Sequence, residues 1–279
     1  MNNKICLITG ANSGIGKITA LELAKLGATV IMVCRNQKKG EEALKEIISQ
    51  SKSDKVELMI CDIESQKSVR KFAEEFKAKY NKLDVLINNA GVILSEKSVS
   101  EDGIESMYAI NHFGSFLLTN LLLDTIKASD SGRIINVSSE GHRIGHIKFN
   151  DINSDKSFNG LRVYCDTKLA NVLFTKELSR RLEGSKVTAN CLHPGVVRTN
   201  FSMDSTGLFT VLVKMFRPFL ISPEKGAATQ IYLATSPQVE GITGEYFNKK
   251  KPVKSSGESR NPDVAKKLWE LSEKMTGLK

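Results

Sequence analysis

The stretch ICLITGANSGIG, residues 5–16, sets an apolar run directly before three glycines. Residues 5–8 have the unbroken apolar character of a strand buried on both faces. A strand, a tight glycine turn and a helix N-terminus together make an anion site. Backbone N–H groups and the helix dipole face the anion, and the missing side chains let it approach. Gly10, Gly14 and Gly16 supply the room. Their spacing, G-x-x-x-G-x-G, departs from the G-x-G-x-x-G dinucleotide fingerprint. On this stretch alone a glycine turn without a ligand stays open. Its place after the first strand of an α/β chain favours a pyrophosphate.

Outward from that turn, apolar runs alternate with helical patterns. The pattern predicts strands at 4–9, 29–34, 56–61, 84–88, 133–137 and 187–192. It predicts helices at 14–26, 37–51, 66–80, 161–182 and 263–274, and a long helical stretch from about 101 to 128, broken near Asn111. Asn261 reads as an N-cap with Pro262 in the first helical position. Strict β–α alternation predicts an α/β fold: one Rossmann-type, doubly wound parallel sheet of about seven strands with helices on both faces. No repeat, linker or change of composition marks a second domain, so residues 1–279 are expected to form one. Residues 248–279 are expected to make a C-terminal loop and helix.

Hydrophobic residues make up 41% of the chain and charged residues 25%, which favours a globular core over disorder. No run reaches the roughly 18 apolar residues of a membrane span, and no signal peptide fits Met-Asn-Asn-Lys. The expectation is a cytoplasmic protein. The net charge of +9 fits a solvated basic surface, or attraction to cofactor phosphates or an anionic membrane surface. Lysines and arginines are spread along the helices with no recognition motif, which argues against nucleic acid. The five cysteines form no C-x-x-C pair and are expected as buried, reduced thiols. His142 and His146 are four apart, but Gly145 and their polar surroundings suggest a loop rather than a metal site.

The second strand ends Val33-Cys34-Arg35-Asn36. NAD-binding folds often carry a carboxylate here for the ribose 2′-OH, and this chain has none. Arg35 could face a 2′-phosphate instead, through a charge-assisted bidentate contact. NADP(H) is therefore expected in preference to NAD(H); the plain alternative is a surface arginine at a strand end.

Tyr164 and Lys168 are four apart in a helical pattern, which puts them on one face. A nearby ammonium stabilises a phenolate and lowers the tyrosine pKa, making Tyr164 a candidate acid/base. Y-x-x-x-K alone is common on helix surfaces. His193, Ser139 and Asp166 could suggest a hydrolase, but no G-x-S-x-G elbow follows a strand.

The order of motifs carries more weight. Residues 9–16, Asn88-Asn89-Ala90-Gly91, Asn111, Ser138-Ser139, Tyr164 with Lys168, and Pro194-Gly195 follow one another along nearly the whole chain. Together they resemble the short-chain dehydrogenase/reductase family. Tyr-Cys-Asp-Thr-Lys-Leu-Ala-Asn171, His193-Pro-Gly-Val-Val-Arg-Thr199, Gly244-Glu-Tyr-Phe247, the closing Leu268-Trp269 and Gly277-Leu278, and the insert 144–161 look like its retinol dehydrogenase-like branch.

The resemblance implies roles. Tyr164 would exchange a proton with the substrate oxygen. Lys168 would lower the Tyr164 pKa and hydrogen-bond the nicotinamide ribose. Ser139 would orient the substrate oxygen, with Ser138 structural. Asn111 would bend its helix and hold a water relaying protons towards Lys168. Gly10, Asn12, Ser13, Gly14, Ile15 and Gly16 would cradle the cofactor. Asp62, with Ile63, would meet the adenine, and Asn89, Ala90 and Gly91 would line the cofactor beside strand four. Val197 and Thr199 would hold the carboxamide. The hydride comes from the nicotinamide, so the protein need only position it and manage one proton. The resemblance also implies helix pairing into a dimer or tetramer.

Residues 207–220, GLFTVLVKMFRPFL, are the most apolar stretch outside the strands. They fall where the resembled family has a substrate lid, expected here at 200–222. One reading is a flap over an apolar substrate that dips into a membrane surface, with Lys214 and Arg217 meeting head groups. The other is an ordinary packed helix or dimer contact. Many members of the branch have an N-terminal membrane anchor and this chain shows none, so any membrane contact is expected to be peripheral. The expected reaction interconverts an apolar aldehyde or ketone and its alcohol, retinal/retinol being one candidate pair. A reductase of a steroid, lipid aldehyde or protochlorophyllide, and a non-catalytic NADP-binding regulator, remain alternatives.

Overall fold

A computed structural model of the chain describes residues 1–197 and 221–279. The elements run β1 (Ile5–Thr9), α1 (Gly14–Lys25), β2 (Thr29–Cys34), α2 (Gln37–Ser51), β3 (Val56–Ile60), α3 (Gln66–Lys79) and β4 (Val85–Asn88). The next helical stretch is α4 (Ser106–Tyr108), a π turn (Ala109–Phe113), α5 (Gly114–Leu121) and α6 (Leu123–Lys127). Then come β5 (Arg133–Val137), a 3-10 turn (Glu140–Arg143), α7 (Gly160–Arg181), β6 (Thr188–His193), α8 (Pro223–Thr235), β7 (Tyr246–Asn248), β8 (Lys251–Pro252) and α9 (Pro262–Met275).

The described strands form one sheet in the order β3-β2-β1-β4-β5-β6-β7-β8. All neighbours are parallel except β7 and β8. This is the expected doubly wound α/β fold, with an eighth, two-residue antiparallel strand added at the edge. Strand order reverses between β1 and β4, and ligands of such sheets bind outside the carboxyl ends at that switch point.

The alternating strand residues feed two cores. Leu7, Ile31, Val33, Leu86 and Ile134 face α3, α5, α7 and α9, meeting Phe72, Phe116, Phe174 and Trp269. Cys6, Ile8, Val30, Met32, Val85, Ile87 and Ile135 face the other way, onto Leu23, Ile47 and Leu233. With both faces covered, the strands need apolar residues at every position, which is why they read as unbroken runs. All five cysteines are free and buried.

Between β4 and β5 the sheet is stitched by a buried polar chain. Asn88 Nδ2 donates to Asn136 Oδ1 (2.8 Å) and Thr119 Oγ1 (2.9 Å), and Asn136 Nδ2 donates to Thr175 Oγ1 (2.9 Å). Such a network ties α5 and α7 to fixed points on the strands. No helix of the described residues is long and apolar enough to cross a membrane.

Candidate active site

The glycine turn after β1 is locked to the loop after β4. Thr9 Oγ1 accepts from the N–H groups of Asn89 (3.0 Å) and Ala90 (2.9 Å), while Asn89 Nδ2 donates to Thr9 O (2.8 Å). Gly10 and Gly14 have φ of +67° and +54°, a region that glycine enters without a Cβ penalty. Gly16 is needed for a different reason: a Cβ there would lie 2.5 Å from both Gly10 O and Asn89 Nδ2. Gly10 and Gly16 thus meet Asn89 at the switch point, and Gly10 also meets Ala90.

The N-terminus of α1 bears on whether this cradle suits a phosphate. Asn36, Ser65, Asn159, Ser222 and Asn261 each cap a helix through a side-chain oxygen, but Ser13 makes no side-chain cap to α1. The first-turn N–H groups of α1 are left to an outside acceptor, the chemistry of an anion site. The residues present therefore fit a dinucleotide pyrophosphate.

Around the cradle, Arg35 is exposed at the end of β2, its guanidinium 3.9 Å from the Glu64 carboxylate. Asp62 Oδ1 accepts from Glu64 N (3.1 Å) in a turn at the end of β3, and Ile63 is buried beside it. Val197 pairs with Ile221 and approaches Ile15 across Gly226. Thr199 and residues 200–220 of the expected lid, with Lys214 and Arg217, lie outside the described residues.

Ser139, Tyr164 and Lys168 come together at the carboxyl end of β5. Ser139 lies two residues past the end of the strand and caps the 3-10 turn, accepting from Gly141 N (3.2 Å). Tyr164 and Lys168 project from one face of α7, with Lys168 Nζ 5.5 Å from the Tyr164 ring centroid. Lys168 is buried, and its Nζ donates to Val137 O (3.3 Å). Ser138 Oγ donates to Lys168 O (2.7 Å) and is a strut, as expected.

The electrostatics differ from the expectation of a lowered tyrosine. Burial pushes the Tyr164 phenol up to about 12, with a hydrogen bond to Ser139 working against it. Burial alone pushes Lys168 down to about 8. Each group is driven towards its neutral form because the pocket withholds water from both.

Asn111 lies inside the interrupted helical stretch. The helix does break there, as a π turn. Asn111 Oδ1 accepts from Val92 N (2.7 Å), and Nδ2 donates to Val92 O and Thr167 Oγ1 (3.0 Å each). Both amide protons and the oxygen are engaged with protein. The side chain braces the β4 loop against α7.

Three residues near the site were not singled out for it by sequence. Thr9 supplies the hydroxyl that joins the two loops. Glu140 and His142 hold the turn after Ser139. His142 drew attention only for its spacing from His146; its place three residues after Ser139 was the available signal. Among the described residues no group of three His, Cys, Asp or Glu could hold a metal. Asp166 turns away from a hydrolase arrangement: its Oδ1 accepts from His146 N (2.8 Å), while His193 Nδ1 accepts from Glu140 N (3.3 Å).

A doubly wound sheet with an uncapped, glycine-lined helix end at its switch point, and Ser, Tyr and Lys beside it, defines a dinucleotide-dependent oxidoreductase class. The short-chain dehydrogenase family model matches residues 4–207. Human retinol dehydrogenase 14 is 45% identical across 100% of this chain and 88% of its own length. Bovine retinol dehydrogenase 12 is 44% identical across 99% of this chain and 87% of its own. An uncharacterised Mycobacterium paratuberculosis protein of known structure superposes with a TM-score of 0.81 at 35% identity, over 99% of this chain and 94% of that one. The chain belongs to the short-chain dehydrogenase family and is retinol dehydrogenase-like. It is an oxidoreductase of a family that acts on CH–OH groups with a nicotinamide cofactor.

Proposed function

We propose that the protein reduces an apolar aldehyde or ketone to its alcohol with NADPH, retinal being the first candidate. The observation that carries the reading is the meeting of Ser139, Tyr164 and Lys168 beside the glycine cradle. The names of the retinol dehydrogenase relatives supply the substrate candidate.

The bound nicotinamide supplies the hydride. Ser139 Oγ donates a hydrogen bond to the substrate oxygen and fixes its distance from Tyr164. Tyr164 Oη gives its proton to that oxygen as negative charge develops there. The partly buried phenol, with its pKa pushed up by desolvation, would be held in the protonated form that reduction requires. Lys168 is still largely an ammonium at pH 7, since its pKa is about 8. Its charge stabilises the phenolate left behind, in surroundings where water does not screen it. Asn111 keeps the two sides of the pocket in register through Val92 and Thr167. Arg35, with no carboxylate at the end of β2, would receive a 2′-phosphate in competition with Glu64.

The test is the loss of NADPH absorbance against retinal, aliphatic aldehydes, steroids and quinones, with NADH in parallel. Turnover by the wild type, abolished in Tyr164→Phe with NADPH binding retained, is expected. A Tyr164→Phe protein that still turns over would end the case for Tyr164 as the acid.

A further inference from the structure

Ser139 sits at the mouth of a four-residue 3-10 turn, Glu140–Arg143. So short a turn cannot hold a serine to the tolerance catalysis needs, on the order of half an ångström. Its side chains show what does. His142 is fully buried, and its Nδ1 lies 2.6 Å from Ser139 O. Its Nε2 accepts from Ser256 N at 3.2 Å. A carbonyl oxygen can only accept and a backbone N–H can only donate. The ring is therefore neutral, protonated at Nδ1 and bare at Nε2. It packs on Tyr246 with ring centroids 4.5 Å apart.

The rest of the turn reaches the same way. Glu140 Oε1 accepts from Tyr246 Oη (2.9 Å) and Asn248 Nδ2 (3.4 Å). Arg143 Nε donates to Glu140 Oε2 (2.5 Å), and its Nη2 donates to Lys254 O (3.1 Å). Glu140, His142 and Arg143 each contact residues 246–256, a segment beyond residue 207, where the family-model match ends.

We propose that His142 is a positioning residue for Ser139, and that residues 246–256 are the seat from which it acts. The neutral imidazole is a rigid strut between Ser256 N–H and the Ser139 carbonyl. It sets the peptide that aims Oγ at the substrate oxygen. This rests on the role proposed above for Ser139.

Two substitutions separate the strut's ends. His142→Asn places an amide N–H where Nδ1 stands and leaves Ser256 N–H without an acceptor. His142→Gln reaches the Nε2 position and leaves Ser139 O without its donor. With retinal and NADPH, His142→Gln is expected to lower kcat by about 10- to 100-fold, with the NADPH dissociation constant near wild type and a Tm no lower than that of His142→Asn. His142→Asn is expected to recover most of kcat while amide exchange at Ser256 rises by about tenfold. A merely structural role would move Tm and cofactor affinity with kcat, and would give the Asn variant no advantage; that result overturns the proposal.

A second readout needs no turnover. In ¹⁵N-histidine-labelled protein without cofactor, the resonance missing from His142→Asn should report protonated Nδ1 and bare Nε2. A protonated Nε2 overturns the strut whatever the activity. If the wild type turns over no carbonyl while this signature and the Ser256 exchange pattern stand, the functional reading fails and the seat for the Ser139 peptide holds.

Discussion

Replacing Lys168 by Met should make the cofactor-free protein more stable at neutral pH. Lys168 is 3% exposed, and burial depresses its pKa from 10.5 to about 8. At roughly 1.4 kcal/mol per pH unit, this depression corresponds to about 3 kcal/mol of folding free energy. Between about pH 8 and 10.5 the unfolded chain holds a proton on Lys168 that the folded chain has lost, so wild-type stability rises with pH across that window. Below pH 8 both states are protonated and the folded state bears the full penalty of a buried ammonium. Above 10.5 both are neutral and the penalty is gone.

Methionine has a similar length and no charge, and Val137 O keeps Asn171 Nδ2 at 3.2 Å as a donor. Little should be lost with the lysine's own bond. Urea unfolding of the two proteins at pH 7 should favour Lys168→Met by about 2–3 kcal/mol, and the advantage should shrink towards zero by pH 10. Other groups titrating at high pH are common to both proteins, so the difference isolates Lys168. A variant less stable than wild type at pH 7, or an advantage that stays constant from pH 7 to 10, would refute the reasoning. The same variant should be inactive, since the ammonium that destabilises the fold is the charge proposed to steady the phenolate.

Gly16→Ala would push a Cβ to 2.5 Å from Gly10 O and Asn89 Nδ2; overpacking of about 1–3 kcal/mol should appear as weaker NADPH binding in fluorescence titration, and an unchanged affinity would remove Gly16 from the cradle. Arg35→Ala should weaken NADPH more than NADH by about 1–3 kcal/mol, and equal losses by calorimetry would defeat the 2′-phosphate reading. Burial holds His112 down from 6.5 to about 3, so it is neutral in the fold and takes up a proton on unfolding below about pH 6.5. That stability is present above pH 6.5 and is lost as pH falls towards 3, up to about 4–5 kcal/mol. His112→Phe, among Phe113, Phe116 and Phe174, should flatten the acid limb of the unfolding midpoint, and a limb of unchanged slope would show that His112 does not set it.

The parts of the fold legible in the sequence are those fixed by short-range pattern. β2, α2 and β5 lie at the residues the pattern predicts, because unbroken apolar runs and amphipathic spacing are local signals. α8 was missed although Ser222 and Pro223 form an N-cap with proline in the first turn. Its small residues, Gly226, Ala227 and Ala228, make no clear stripe, and the apolar run at 207–220 stands just before it. β8 carries two exposed residues, Lys251 and Pro252, and exists only because β7 offers it an edge. In the site, the order of motifs made Ser139, Tyr164 and Lys168 legible. The direction of the Tyr164 shift was not, since spacing reports the nearby ammonium but not the depth of the pocket. His142 was illegible as a strut because its partner, Ser256, is more than a hundred residues away.

That separation bears on how the chemistry and the fold divide the chain. The family pattern ends at residue 207 and includes the glycine cradle, Ser139, Tyr164 and Lys168. Yet Leu233 and Phe247 fill one core, and Trp269 completes the other against Phe116 and Phe174. Arg181 stacks over the Trp269 ring at 4.2 Å, and Arg70 Nη2 donates to Thr276 O (2.6 Å). Residues 4–207 alone would leave apolar surface bare on both faces of the sheet, at roughly 25 cal/mol for each Å² returned to water. Ala265 and Leu268 belong to the cluster against which Tyr164 packs, and the turn bearing Ser139 contacts residues 246–256. On the roles proposed above, the carboxyl-terminal residues would bear on the reaction twice: once through the packing around Tyr164, and once through His142.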